Sequence, residues 1–300
     1  MFKHASWLVQ GGLALLLLTA AVPATAQPDN VNFRFNSGQP VQPIYEGWQR
    51  NPDGTISMYF GYINRNYAEE LPVPIGSANS FSPGTPDRGQ PTLFYSRIHR
   101  QLFNVKVPGN WGKTQELTWT VTANGTTLKA VGWMQPEWEI DAEGGGQTRN
   151  EEARKNKAPT LEVDGRATVS LSNRLTLAAR VADDGLPKPR GKKTVPIGQE
   201  SPPTLLPRPG DAEVPVNVPE APEPGRVRRG SGPQGLAVNW LVWRGPAAAT
   251  FAPPAAAGVK DGQAVVTAVF KKPGTYVLRA KATDGALSSE AKEVIVTVTP

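Results

Sequence analysis

The chain contains no cysteine. That absence excludes disulfides, thiolate metal sites, a cysteine nucleophile and lipid attachment through a cysteine. Histidine is almost missing as well. Only His4 and His99 occur, which excludes a multi-histidine metal centre. There is no Gly-x-Ser-x-Gly elbow, phosphate loop or zinc signature. No stretch sustains the 3.6-residue apolar period of an amphipathic helix. Beyond the N-terminus, no apolar run is long enough to cross a membrane. Charge is only weakly biased, with 32 Lys and Arg against 26 Asp and Glu for a formal +6. The cations are scattered apart from small clusters at Lys188 to Lys193 and Arg226 to Arg229, so nucleic-acid binding is not expected.

What is present first suggests export. Lys3 gives a positive start, Leu8 to Val22 form an apolar run, and Ala24-Thr25-Ala26 offers a small-x-small cleavage pattern. These are the three parts of a secretory signal peptide over residues 1–26, with cleavage exposing Gln27. The expected location is periplasm, cell surface or extracellular. A cysteine-free exported chain must be stabilised by its core alone. The roughly 270 residues that follow are enough for two domains.

Thirty glycines and thirty prolines point to many short strands joined by turns and loops. A first β domain is expected over 31–141, with strands at Val31–Phe35, Ile56–Ile63, Thr92–Ser96, Gln101–Val107, Glu116–Ala123 and Thr126–Met134. Leu117, Trp119 and Val121 alternate with Thr118, Thr120 and Thr122, the pattern of a half-buried antiparallel strand. Asn124-Gly125 then supplies a tight type I′ turn, which makes the last two strands a hairpin. Residues 142–157 read as a charged, Gly-rich connector. The second domain spans 158–300. Its strands are expected at Arg174–Ala182, Leu236–Trp243, Gln263–Phe270, Thr275–Ala282 and Glu293–Val298. Residues 187–235 interrupt it with twelve prolines and eight basic residues. Such a segment buries too little apolar area to offset its ordering entropy, so a disordered insertion is expected. The fold class is therefore all-β, with two β-sandwich-like domains and a Pro-rich insertion in the second.

The second domain carries an ordered set of motifs. Ala158-Pro159 stands at its start, then Leu175-Thr176-Leu177 and Val181-Ala182-Asp183-Asp184-Gly185. Val238-Asn239-Trp240 and Gly245-Pro246 follow, then Phe270 and Pro273-Gly274-Thr275-Tyr276-Val277-Leu278-Arg279. Asp284-Gly285-Ala286-Leu287-Ser288-Ser289 and Val294 to Val298 complete the set. In that order they resemble bacterial exported polycystic-kidney-disease-type (PKD-like) domains of immunoglobulin-like fold. The resemblance covers 94 residues and departs from the family at the long insertion. It implies adhesion, spacing or ligand presentation, and brings no catalytic residues. The N-terminal domain resembles only uncharacterised exported bacterial proteins.

Several residues are candidates for specific roles. Tyr276, just after a turn, suits the tyrosine corner of a sandwich, and Trp240 suits the core tryptophan. Trp243 has the opposite strand parity and is expected to be partly exposed. Asp183, Asp184 and Asp284 lie in loops at strand ends, where carboxylates can hold calcium. Asp-Gly turns account for them equally without a metal. No cofactor is otherwise expected. In the first domain, Trp48, Tyr59, Tyr62 and Tyr67, within an aromatic set that also includes Trp138, could stack on sugar rings. They could equally form the core. Arg97, His99 and Arg100 make a small basic cluster. Glu46, Asp53, Glu69 and Glu70 are the acids from which a glycosidase pair could be drawn. The resulting expectation is a non-enzymatic exported protein of adhesion, spacer or ligand-binding type. Its partner would be an unknown cell-surface protein or polysaccharide, and the alternative is carbohydrate binding by the first domain.

Overall fold

The computed structural model describes residues 34–140, 155–188, 235–254 and 256–300. The leader at 1–26, most of the connector and nearly all of 187–235 lie outside the described residues. The strands are β1 Val41–Arg50, β2 Ile56–Asn64, β3 Leu71–Pro72, β4 Asn79–Ser82, β5 Leu93–Phe94, β6 Arg97–Val107, β7 Leu117–Ala123 and β8 Thr126–Gly132. After a 3₁₀ turn at Pro136–Trp138 come β9 Thr160–Val163, β10 Arg166–Ser170, β11 Leu175–Ala182, β12 Ala237–Arg244 and β13 Ala249–Ala252. The last four are β14 Ala257–Gly258, β15 Gln263–Phe270, β16 Gly274–Thr283 and β17 Lys292–Thr299. The all-β expectation holds.

The first sandwich sets the sheet β1-β2-β6 against the sheet β4-β7-β8. Leu117, Trp119 and Val121 are fully buried, and the intervening threonines are half-buried, so the two-residue period of β7 is obeyed. β7 and β8 pair from Leu117↔Gly132 to Ala123↔Thr126. Asn124 and Gly125 take φ of +48° and +74°, the pair of positive values that a type I′ turn requires. Aromatic rings fill the core. Phe81 stacks on Trp119 at 5.7 Å, and Phe60 meets both nearly edge-on. The expected strand at 31–35 is not found in its described part, where Arg34 and Phe35 lie outside any strand. The strand that opens this sandwich is β1. Its Pro43 and Gly47 read as breakers, yet β1 is an edge strand, the one place in a sheet where proline costs no ladder bond.

The second sandwich has the sheets β13-β15-β11-β9 and β10-β17-β16-β12-β14. The chain enters in one sheet as β9 and crosses at Asp164-Gly165 into the other. There β10 runs parallel to β17, with Arg166 opposite Ile295 and Ser170 opposite Thr299. A first strand divided between both sheets, parallel to the last one, is the immunoglobulin-like arrangement. Tyr276, fully buried at the start of β16, donates its hydroxyl proton to the Lys272 carbonyl at 2.8 Å. Trp240 lies in this core beside Leu177, Ala179 and Phe270, with its indole nitrogen buried and without an acceptor.

Candidate functional site

Where the two sandwiches meet, they exchange side chains. Leu93 is buried in the core of the second sandwich, whereas its neighbour Phe94 is buried in the first. In return Trp243, only 1% exposed, joins the first core and lies 5.8 Å from Phe103. This corrects the expectation of a partly exposed Trp243. The β12–β16 register shifts between Val242 and Arg244, and Trp243 is the extra residue in that bulge.

The exchange closes an open edge. β14 covers β12 only at Ala237 and Val238. Further along, the Thr92 amide donates to the Trp243 carbonyl at 3.0 Å and the Val242 amide to the Tyr95 hydroxyl at 2.8 Å. The Trp243 indole donates to the Gly89 carbonyl at 3.0 Å. Arg244 grips Asp87 with both terminal nitrogens at 2.9 and 2.6 Å, and its Nε donates to the Gln90 carbonyl. A bidentate guanidinium–carboxylate pair fixes orientation as well as distance. All these residues belong to one contact unit.

Arg244 holds the Asp87 carboxyl below the usual range, chiefly by this hydrogen bonding. A depressed folded pKa stabilises above the unfolded value of about 3.9, and that contribution is lost as pH falls through the folded pKa. Acidification below about pH 4 should therefore loosen the joint. Asp87→Asn should flatten that part of the pH–melting profile. An identical profile for the variant would show that the ion pair contributes nothing.

A cleft of about 780 Å³ opens beside the joint. One wall is β6 from Arg100 to Asn104, and the other is the outer face of β12 and β16, bearing Asn239, Leu241, Arg279 and Lys281. Its lining includes five cations, Arg88, Arg100, Lys106, Arg279 and Lys281, against one carboxylate, Glu290. Arg279 lies 3.5 Å over the Trp243 ring and is paired with Glu293. Burial first, then the charge of Arg279, holds Lys281 below the ordinary lysine range. Lys281 makes no ion pair among the described residues.

A second hollow of about 710 Å³ lies on the first sandwich, lined by Tyr45, Glu46, Arg100, Glu137, Trp138 and Glu139 among others. Trp138 is 44% exposed and stacks on Tyr45 at 5.5 Å with 10° between the planes. Gly47 allows this packing. Its φ is +115°, and a Cβ there would stand 2.5 Å from the Trp138 carbonyl oxygen. The Glu46 side chain, 7% exposed, accepts the Gln101 amide across a β6 bulge and lies 3.9 Å from Arg100. Burial raises its pKa, opposed by the Gln101 hydrogen bond and by Arg100.

The residues proposed from sequence as a sugar platform do not assemble into one. Trp48 is 4% exposed, with its indole donating to the Gln135 carbonyl. Tyr62 is fully buried and its hydroxyl accepts the Tyr95 amide. Both are core side chains, which corrects that expectation for them. Tyr59 is half-buried at the basic cleft, and its hydroxyl donates to Gln49. Tyr67 is half-buried under Arg34 and Arg97. Among the described residues the exposed aromatic rings are Phe35 and Trp138, and of the two only Trp138 lines a hollow. For Trp138 the signal in the sequence was Pro136, two residues before it, which holds it on a turn instead of in a strand.

His99 packs on Tyr62 and contacts the Ser96 carbonyl, and burial holds its pKa low. Of Glu46, Asp53, Glu69 and Glu70, only Glu46 lines either hollow. Asp53 sits in the β1–β2 turn, hydrogen-bonded to Thr55. Glu69 accepts the Gly38 amide.

Asp183, Asp184 and Asp284 all serve turns. Asp183 accepts the Gly185 amide, Asp184 those of Leu186 and Lys157, and Asp284 those of Ala286 and Leu287. Asn156, which sequence reasoning missed, donates to Asp284 at 3.0 Å. Oδ1 of Asn156 and Oδ1 of Asp183 are buried without a donor. Among the described residues no group of three or more His, Cys, Asp or Glu is arranged to hold a metal.

No family model matches this chain, and no curated protein matches it. Solved structures similar to it include domains 4 and 5 of the S-layer protein SbsC, at 12% identity and TM-score 0.25 over 87% of this chain and 98% of that one. A protein of unknown function from Porphyromonas gingivalis W83 is 10% identical with TM-score 0.25, over 88% and 100%. The tandem Ig repeats of Dlar are 10% identical with TM-score 0.25, over 86% and 97%. What makes the second sandwich immunoglobulin-like is its strand order, with β10 parallel to β17.

Proposed function

We propose that this chain is a non-enzymatic exported module of the cell envelope or exterior, in which two sandwiches are held at a fixed angle for adhesion or spacing. The observation that supports it most is the reciprocal exchange of Leu93 and Trp243, braced by Asp87 and Arg244. A flexible linker would let the sandwiches move independently, whereas this joint couples them. The PKD-like motif order and the leader-like N-terminus support the same reading. Fractionation of native cells together with small-angle scattering tests it. Cytosolic retention, or a scattering profile that needs freely rotating domains, would refute it.

A second reading is carbohydrate binding, now centred on Trp138 and not on Trp48 or Tyr62. An exposed indole backed by Tyr45 and flanked by carboxylates suits a sugar ring with its apolar face down and its hydroxyls at the rim. Trp138→Ala should abolish glycan-array binding at a cost of about 1 kcal/mol in stability, since the ring is partly exposed but gives up its stack on Tyr45. Unchanged glycan binding in that variant ends this reading. Calcium at Asp183, Asp184 and Asp284 is a separate proposal supported only by the two donorless oxygens. A chelator should then lower the melting midpoint of the parent but not of Asp183→Asn, and an unaffected parent rejects it.

A further inference from the structure

β6 is an edge strand, since its sheet runs β1-β2-β6. Five consecutive residues of it, Arg100 to Asn104, line the basic cleft. No strand pairs with the outer side of β6, and a bulge opposite Gly61 takes Arg100 to Leu102 out of the regular alternation, so consecutive residues reach the cleft along that open edge. Such an edge offers a row of main-chain donors and acceptors that a further strand can satisfy. The opposite wall supplies Lys281, with no carboxylate partner among the described residues, and Arg279. Arg100 and Lys106 flank the edge itself, in the manner by which exposed edges resist pairing with their own kind. The same charges favour a strand of opposite sign.

We propose that the cleft between the sandwiches takes an extended acidic peptide segment of a partner protein, which pairs with the free edge of β6 while its carboxylates face Lys281 and Arg100. Main-chain pairing supplies affinity and the alternating side chains supply selection. An acidic polysaccharide would meet the same cations but has no amide row to match the strand edge. The inference rests on the reading of the chain as a recognition module, and its failure would leave the tests of export and rigidity untouched.

The test uses the full chain and a fluorescent eight-residue peptide of alternating glutamate and valine, followed by anisotropy at low ionic strength. Binding should weaken at least about tenfold with Lys281→Glu, whose folding is checked by its melting temperature, and should fall as salt screens the charges. A peptide of the same sequence, N-methylated at alternate residues, keeps its charge but loses one row of amide donors. It should bind at least about tenfold more weakly. The proposal is overturned if the methylated peptide binds as well as its parent, or if Lys281→Glu binds equally. It is also overturned if the parent peptide does not bind, or if oligogalacturonate of matched charge binds more tightly than the peptide.

Discussion

Trp243→Ala should cost about 3–5 kcal/mol, the range for deleting a buried aromatic from a packed core. The ring belongs to the second sandwich by sequence but fills the core of the first, so the cavity appears on the far side of the joint. The substitution also removes the Arg279 contact, worth about 1–2 kcal/mol where both groups are shielded from water, and the indole bond to Gly89. The effect should extend beyond stability. Calorimetry of the parent should show one cooperative transition, and the variant should separate into two as the sandwiches lose their shared ring. A loss within about 0.5 kcal/mol, typical of surface positions, would mean that the ring is not shared.

Asn79→Ala should be nearly as damaging, although the residue is small and polar. Asn79 is fully buried, donates from its amide to the carbonyls of Val73 and Pro91, and accepts from the Trp119 indole. Alanine would leave three buried polar groups without partners, each costing about 1–3 kcal/mol. The expected loss is thus at least about 3 kcal/mol by urea denaturation. Asn79→Asp offers no rescue, because a carboxylate cannot donate to either carbonyl and its burial is itself unfavourable. Equal stability of parent and Asn79→Ala would show that water replaces the amide. Asn79 also ties Pro91 in place beside Thr92 and Leu93, so it supports the joint from one layer behind.

The sequence disclosed those parts of the fold that follow from local rules. β7 and β8 were legible because alternation and a two-residue turn agree, and β16 and β17 because Pro273-Gly274 and Asp284-Gly285 frame them. β1 was hidden by Pro43 and Gly47, and by a bulge at Glu46 that breaks the period of two. The joint was hidden for another reason. Asp87 and Arg244 are 157 positions apart, and no local pattern reports such a pairing. One signal did exist. Trp240 and Trp243 have opposite parity in a single strand, which implies a strand buried on both faces. The aromatic residues of the first domain were ambiguous for the same physical reason. A ring that can stack on a sugar can also fill a core, and only the placement of Trp48, Tyr62 and Trp138 separates the two uses.

The parallel contact of β10 with β17 has a mechanical consequence. Tension applied at Leu161 and at Thr299 would draw these two strands past one another lengthwise. Every hydrogen bond from Arg166 to Ser170 would then share the load at once, instead of parting one after another as in a zipper. A module stretched between two attachment points would resist extension through this short ladder until the whole of it gave way.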